Sequence, residues 1–362
     1  MIKNDQAGNA LPAVTVMVLN YNGRPYLDAC LSSLGAIDYP GGKYEILLVD
    51  NGSTDGSADF VSEKFPDVRI LKLDKNYGFS KGNNIGTGDA RCEYVTFLNN
   101  DTVVDKHWLK ELAVAITEED GLIVDSKVVY FHDKDILNIG RGFLNRWGVG
   151  FCKGAGEPHS LFNEPVYIHH ATGCSMMIKK DDFIKIGGFD EDFFSYHEDI
   201  DFGWRAWICG YRIKYIPSSV VYHKSGGTAG GFSPYKTYLI TRNTLSYIVK
   251  NCGSGHVLSM IFMNIIFDMA VAVYFLFPLK PIDLKYGESV RISAAIFKGI
   301  SDFLHILPLN FKKRKSIQTR RVVSDTCLLK RGVIMPFVPS MAYLATNNFK
   351  TVKCLIESEK AA

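Results

Sequence analysis

Short apolar runs separated by polar turns mark the first hundred residues. Val14–Leu19, Tyr44–Val49, Val68–Leu73 and Tyr94–Leu98 are apolar through most of their length, the pattern of strands buried on both faces of a parallel sheet. Between the first two, Arg24–Leu34 carries Leu27, Leu31 and Leu34 at helical spacing and predicts a helix. Polar residues gather directly after three of the strands, at Asn20–Gly23, Asp50–Ser57 and Asn99–Thr102. In open α/β sheets, ligands bind at that edge, outside the carboxyl ends of the strands.

Further along, residues 140–170 are rich in glycine and aromatics and predict an irregular or β-rich connection. Cys174–Ile178 reads as a strand, and a helix is expected from near Glu198. Ile213–Ile216 and Val220–Tyr222 form a strand-like run ending at His223. After Lys236 the character changes: Tyr238–Asn251 reads as helical and His256–Leu279 is strongly apolar. Ile292–Leu307 places apolar residues opposite Lys298, Asp302 and His305, the signature of an amphipathic helix. The expected organisation is a tail at 1–12, a catalytic domain at 13–250 and a helical region at 251–362, with a soft boundary near 235–250.

A hydrophobic fraction of 47% and a charged fraction of 22% exclude global disorder. The net charge of +3 gives no argument for nucleic acid. Positive charge is instead concentrated in Lys312, Lys313, Arg314, Lys315, Arg320 and Arg321, a stretch without an acid. The 8 cysteines include no CxxC pair, as expected of thiols in a reducing compartment. Met1–Leu11 is polar and lacks the apolar segment of a signal peptide, so the catalytic part is expected to be cytoplasmic.

Chemistry concentrates in four clusters. Asp50, opening Asp-Asn-Gly-Ser-Thr-Asp-Gly-Ser57, can accept from a base N–H or a ribose hydroxyl, or simply begin a tight turn. Asp101, in Asn99-Asn-Asp-Thr102, suits oxygen coordination of Mg²⁺ or Mn²⁺ carrying a diphosphate; a strand-ending turn is the alternative. In His197-Glu-Asp-Ile-Asp201, a helix start enriched in acids explains Asp201, paired with Arg205 at i,i+4. Glu198 and Asp199 exceed what a helix start needs, and one of them can act as a general base. His223 ends an apolar run before a glycine-rich loop, where it is either structural or a ligand.

Taken in order, these clusters resemble the family 2 glycosyltransferases of the GT-A fold, particularly the rhamnosyltransferase-like branch. The residues carrying the resemblance are Thr15–Gly23, Val49–Ser57, Asn76–Gly86, Phe97–Thr102, Gly187–Glu191, Tyr196–Arg205, Gly210–Arg212 and His223–Gly227. The resemblance spans roughly residues 13–250. It implies an α/β, Rossmann-like GT-A domain for a nucleotide-diphosphate sugar, followed by a mostly helical C-terminal extension. Within it, Asp50 would read the nucleobase, with Asn20, Asn22, Asn83, Asn84 and Asn100 lining the donor site. Asp101 would hold Mg²⁺ or Mn²⁺, His223 would complete the metal shell, Asp199 would be the base and Glu198 its support. Asn99 stands where many relatives keep an acid, which implies modest metal affinity.

The implied reaction is an inverting transfer from dTDP-rhamnose or a UDP-sugar to a hydroxyl of a glycan or lipid-linked acceptor, in polysaccharide biosynthesis. GDP-mannose users share similar motifs. A metal-dependent hydrolase built on His169, His170, His197, Glu198, Asp199 and His223 is the alternative, but the HxxEH-type spacing is missing. A dinucleotide-binding oxidoreductase lacks its G-x-G-x-x-G. His256–Leu279 has the roughly 20 residues a spanning helix needs. The central Asp268 costs about 2.5–3.5 kcal/mol against insertion. Spanning, lying in the interface and packing on the catalytic domain all fit that segment. With the basic run Lys312–Arg321, it leads to the expectation of contact with anionic lipid at the cytosolic face of the membrane. A soluble helical domain or a homo-oligomer interface is the alternative there.

Overall fold

A computed structural model describes residues 11–224, 233–276, 286–336, 338–340 and 343. The apolar runs become strands because their side chains are shared between two helical layers. The first half contains β1 (Val14–Asn20), α1 (Arg24–Gly35), β2 (Tyr44–Asp50), α2 (Ser57–Lys64), β3 (Arg69–Lys72) and α3 (Gly78–Asp89). There follow β4 (Tyr94–Asn99), β5 (Thr102–Val104), α4 (Trp108–Ile116), β6 (Leu122–Tyr130), β7 (Leu137–Ile139), β8 (Arg141–Asn145), β9 (Gly150–Lys153) and β10 (Val166–Tyr167). Next come β11 (Ser175–Lys179), α5 (Lys180–Ile186), α6 (Glu198–Ile208) and β12 (Arg212–His223). The C-terminal part holds α7 (Pro234–Asn251), α8 (Val257–Leu276), α9 (Tyr286–Thr319), α10 (Asp325–Lys330) and β13 (Ile334–Met335).

The principal sheet has the order β10-β12-β6-β11-β4-β1-β2-β3, with β5 added on β12 and β7 on β6. Strands β4, β1, β2 and β3 are parallel, whereas β11 runs antiparallel to both β4 and β6. The expected parallel sheet is therefore mixed. Val16 and Val18 face a core shared with Leu27 and Leu31 of α1 and Trp108 of α4. Met17 faces the other layer, with Phe183 of α5 and Phe202 and Trp204 of α6. The 140–170 stretch forms the β8–β9 hairpin, joined by β13 into a second small sheet. The two apolar runs at 213–216 and 220–222 are one strand, β12, with a register shift between Ile216 and Val220.

Helix α6 is fixed by buried charge. Asp201 is fully buried and meets both Arg205 and Lys250 at 2.8 Å. Asn251 adds a hydrogen bond to the same carboxylate at 2.9 Å. Lys250, itself fully buried, also pairs with Asp190, which Lys313 of α9 reaches as well. Burial alone would raise the Asp190 carboxyl, but the two lysines hold it well below the usual range.

The basic run near the C-terminus corrects one expectation. Arg314 donates to the carbonyls of Val249 and Cys252, Gln318 to that of Lys250, and Arg321 to that of Asn251. These are the carbonyls that the end of α7 leaves without intrahelical partners. Arg320 bonds the carbonyl of Lys185 but stays exposed, whereas Lys313, Arg314 and Arg321 are spent on the fold. Lys312 and Lys315 remain exposed.

The predicted amphipathic helix lies inside α9, burying Ile292, Ile296 and Phe303. Helix α8 exposes Leu258, Phe262, Ile266, Phe267, Met269 and Val273. The last residues of the predicted apolar run, 277–279, and the first ten of the predicted tail lie outside the described residues.

Removing one member of the buried ion cluster tests its importance. Lys250→Met should lower unfolding free energy by about 3–5 kcal/mol, because it strands a buried carboxylate. Urea unfolding at pH 7.5 measures this, and a loss below about 1 kcal/mol would show that the cluster does not hold α6.

Candidate active site

Strands β1, β2 and β4 end side by side, with Asn20 opposite Asp50 and Leu19 opposite Asn99. Asn20 is completely buried and braces the three ends. Its oxygen accepts from the Asn100 amide at 2.7 Å, while its own amide donates to Ser53 Oγ at 3.1 Å and reaches Asp50 Oδ1 at 3.5 Å. Asn22, with φ +49°, accepts from the backbone N–H of Thr54 at 2.8 Å, and its own N–H donates to Ser53 Oγ. Gly23 must lack a side chain, since a Cβ there would strike the Asn100 amide and the Asn20 oxygen. The 20–24 and 50–57 turns thus form one rigid rim around Asp50.

Asp101 follows on the turn into β5, which pairs with the end of β12 so that Thr102 opposes His223. His223 Nε2 lies 3.1 Å from Asp101 Oδ1, and its Nδ1 lies 2.7 Å from Asn138 Oδ1. A histidine donating from Nδ1 to Asn138 presents a lone pair at Nε2 to the carboxylate. Two acceptors at that distance are reconciled by a shared proton or by a cation between them, so this nitrogen and oxygen fit a divalent ion. Among the described residues no three His, Cys, Asp or Glu side chains gather as a metal cage. An ion here would draw its remaining ligands from a bound diphosphate and water, which suits Mg²⁺. Of the fourth cluster, Ser225–Thr228 lies outside the described residues.

Glu198 and Asp199 stand at the first turn of α6. Phe194, Tyr196 and His197, just before them, all have φ between +65° and +68°, a region costly for residues with a Cβ. Helix α7 enforces this conformation. Asn243 donates to the carbonyls of Phe193, Ser195 and Tyr196. Arg242 donates to the carbonyls of Asp192 and Phe193, and the His197 ring meets Thr244 Oγ1 at 3.0 Å.

Burial pushes the Asp199 carboxyl up to about 6, against the pull of the Ile200 and Gly173 backbone N–H groups that bond it. Glu198 is buried, with Oε2 unpartnered, and burial together with the Asp199 charge raises it well above the usual range. Gly173 links the two halves of the site. Its N–H lies near Asp199 and lowers its carboxyl, and the carbonyl of the next residue, Cys174, accepts from Asn99 N–H at 3.1 Å. Asp199 and the Asn99–Asp101 turn are therefore tied to one short segment.

The other residues singled out from the sequence sit differently. Asn83 is buried and donates to the carbonyl of Phe79 within α3. Asn84 exchanges two hydrogen bonds with the Phe189 backbone, clamping α3 to the 187–191 turn instead of pointing at Asp50. Its amide also donates to Glu191 Oε1 at 3.3 Å. His169 and His170 lie under α6, where burial lowers both, His170 to about 3. That environment suits packing, and it removes these two histidines from the hydrolase alternative.

Asp125 on β6 was not anticipated. It is 1% exposed and accepts from the N–H and the hydroxyl of Thr172, the residue before Gly173. Burial raises its carboxyl well above the usual range, and the Asp199 charge adds to the rise. An acid at the centre of an apolar strand was the available signal.

Sheet order and strand-end site together define a GT-A fold. Residues 15–187 match the family described as glycosyl transferase family 2, and residues 159–225 match one described as the N-terminal domain of galactosyltransferase. The chain is a glycosyltransferase, of a class that acts on nucleotide-sugar donors, and it is similar to family 2 over residues 15–187, just under half of its length. It is 28% identical over 257 residues to N-acetylglucosaminyl-diphospho-decaprenol L-rhamnosyltransferase of Mycobacterium tuberculosis, covering 61% of this chain and 78% of that one. It is 30% identical over 154 residues to poly(ribitol-phosphate) beta-N-acetylglucosaminyltransferase TarS of Staphylococcus aureus, covering 41% of this chain but 23% of that one. The crystal structure of TarS 1–349 superposes with a TM-score of 0.53 at 19% identity, covering 96% of this chain and 90% of that chain. GalNAc-T7 with UDP, GalNAc and Mn²⁺ superposes with a TM-score of 0.56 at 16% identity, covering 84% and 58%.

Proposed function

We propose that this protein transfers a sugar from a nucleoside-diphosphate donor, with inversion, to a hydroxyl of a lipid-linked acceptor in cell-surface glycan synthesis. The observation that carries the reading is the 173–174 segment, whose Gly173 N–H lies close enough to Asp199 to lower its carboxyl and whose Cys174 carbonyl bonds the end of β4. It fixes a carboxylate suited to accept a proton near a carboxylate–imidazole pair suited to a metal ion.

Asp50 takes the nucleoside, within the rim formed by Asn20, Asn22 and Asn100. Asp101 and His223 hold Mg²⁺ or Mn²⁺ against the diphosphate. Such an ion supplies neutralisation of the charge that grows on the leaving phosphate. Asp199 takes the proton of the attacking hydroxyl, and Glu198, whose carboxyl burial raises well above the usual range, supports it or touches the acceptor. A single displacement by the acceptor oxygen needs no covalent enzyme intermediate and inverts the anomeric centre. The mycobacterial relative, named for a diphospho-decaprenol acceptor, supports a lipid-linked substrate and a rhamnosyl donor. The TarS relative supports a UDP-sugar equally well.

The C-terminal helices fit the same reading. Val257–Leu276 and Gly287–Thr319 are long and apolar enough to cross a membrane by length and composition, the first with a mean hydropathy of 2.0. The outward face of α8 carries large apolar residues in succession, more than a monomer ordinarily shows to water. Its inner face bonds the hairpin turn of β8–β9 through Asn264 and the carbonyl of Trp147. The same hairpin packs on α6, where Gly150 touches Ile200 beside Asp199. A lipid layer against α8 therefore lies one hairpin away from the proposed base, at the cytosolic face of the membrane.

Asp199→Asn keeps the shape and removes the proton acceptor, so turnover should fall by about 10²–10⁴ while nucleotide binding persists. Wild-type turnover should fall as pH drops through about 6, where Asp199 becomes protonated. The stability effect has the opposite sense. A carboxyl raised in the folded state favours folding while protonated, and that contribution is lost as pH rises through about 6. Asp199→Asn should therefore melt above wild type at pH 7.5, with the difference shrinking toward pH 4. Near-normal turnover in the variant would remove Asp199 from the base role.

Cell fractionation tests the membrane contact. The full chain should sediment with membranes at low salt, and Phe262→Glu with Ile266→Glu should release it. Recovery of the wild type in the soluble fraction without detergent contradicts the contact.

A further inference from the structure

Strand β6 breaks the apolar pattern a second time. Lys127 shares the face of Asp125, two residues on, and is 3% exposed. Its ammonium has three donors and meets one acceptor, Asn163 Oδ1, at 2.5 Å. Beside it, Arg141 of β8 lies over the Phe162 ring at 4.7 Å and the Tyr215 ring at 5.7 Å. The Nε of Arg141 is shut off from solvent without an acceptor. Among the described residues, neither cation has a carboxylate at ion-pair distance. Burial and the Arg141 charge lower Lys127, and burial lowers Arg141. Glu157, whose charge raises Arg141, also accepts from the Tyr343 hydroxyl at 3.1 Å, and Asp125 is bonded by Thr172.

A buried ammonium and a half-buried guanidinium with donors left unfilled are costly in a folded chain, and a bound anion offsets that cost. Their position says which anion. Along β6, Lys127 falls between Asp125, whose partner Thr172 precedes the residue holding Asp199, and Tyr130, which pairs with His223. Arg141 follows Asn138, the partner of His223, by three residues. The pair thus lies between the two halves of the candidate site, on the side away from Asp50.

We infer that Lys127 and Arg141 form an anion subsite of the acceptor pocket, taking a phosphate or diphosphate group carried by the acceptor. This rests on the transferase reading above. A guanidinium with a neighbouring ammonium offers the forked donors and point charge that phosphate oxygens accept. Phosphate on the acceptor can come from a prenyl diphosphate or from a polyol phosphate, and both present the same oxygens to this pair.

The test uses the full chain with Mg²⁺ and saturating nucleoside diphosphate, so that the donor site is filled. Geranyl diphosphate and glycerol 3-phosphate are then titrated separately by thermal shift. At least one should raise the melting temperature of the wild type, and the stronger of the two identifies the source. Arg141→Gln and Lys127→Gln should each weaken that probe about tenfold or more, while Arg141→Lys, which keeps the charge, should retain most of the affinity. A shift that survives in both Gln variants, or neither probe binding the wild type, overturns the subsite. Failure of the nucleoside diphosphate to bind in the first step would instead overturn the transferase reading, so the two failures are distinguishable.

Discussion

The pairing of Asp201 with Lys250, deep between α6 and α7, sets the position of everything at the catalytic edge. A buried ion pair is stable only when its geometry is good and its remaining donors and acceptors are filled. Arg205 and Asn251 fill those of Asp201, and Asp190 takes the second side of Lys250. The pairing allows little freedom between the two helices. Helix α7 can then place Arg242, Asn243 and Thr244 against the 192–197 segment and hold three residues in left-handed conformation. That strained approach delivers Glu198 and Asp199 to the sheet edge at the start of α6. The end of α9 closes the arrangement by capping the carbonyls of α7 with Arg314, Gln318 and Arg321.

Opposed electrostatic demands meet at that edge. A helix N-terminus favours carboxylates, and the Ile200 and Gly173 N–H groups bonded to Asp199 act in that direction. Burial acts against them and wins, pushing Asp199 up to about 6, and burial with the Asp199 charge raises Glu198 well above its usual range. The strand-end rim follows a different principle. Asn20, Asn22 and Asn100 spend their amides on one another and on the 53–54 backbone and hydroxyl, giving rigidity without charge. Asp50 and Asp101 supply the charge within it.

Much of this was legible in the sequence because it depends on local patterns. Short apolar runs before Asn20, Asp50 and Asn99 located the strand ends, and the i,i+4 spacing of Asp201 and Arg205 correctly gave an ion pair. What escaped depends on tertiary neighbours. Strand β6 was missed because Asp125, Ser126 and Lys127 interrupt its centre, and their burial follows from the sheets and loops laid over them. The basic run was read as lipid-facing because nothing local shows that the open carbonyls of α7 would lie beside it. Asn84 looked like a donor ligand, yet its partner Phe189 is far along the chain. The mixed direction of the sheet was hidden too, since a buried strand reads the same in either orientation.

The most direct test of the account is a crystal structure of the full chain with a nucleoside diphosphate and Mn²⁺, using anomalous scattering to locate the ion. The account predicts an anomalous peak between Asp101 and His223, with the diphosphate on it, the base against Asp50, and Asp199 facing the open side of the phosphate. A peak elsewhere, or a nucleotide bound away from the ends of β1, β2 and β4, would contradict it.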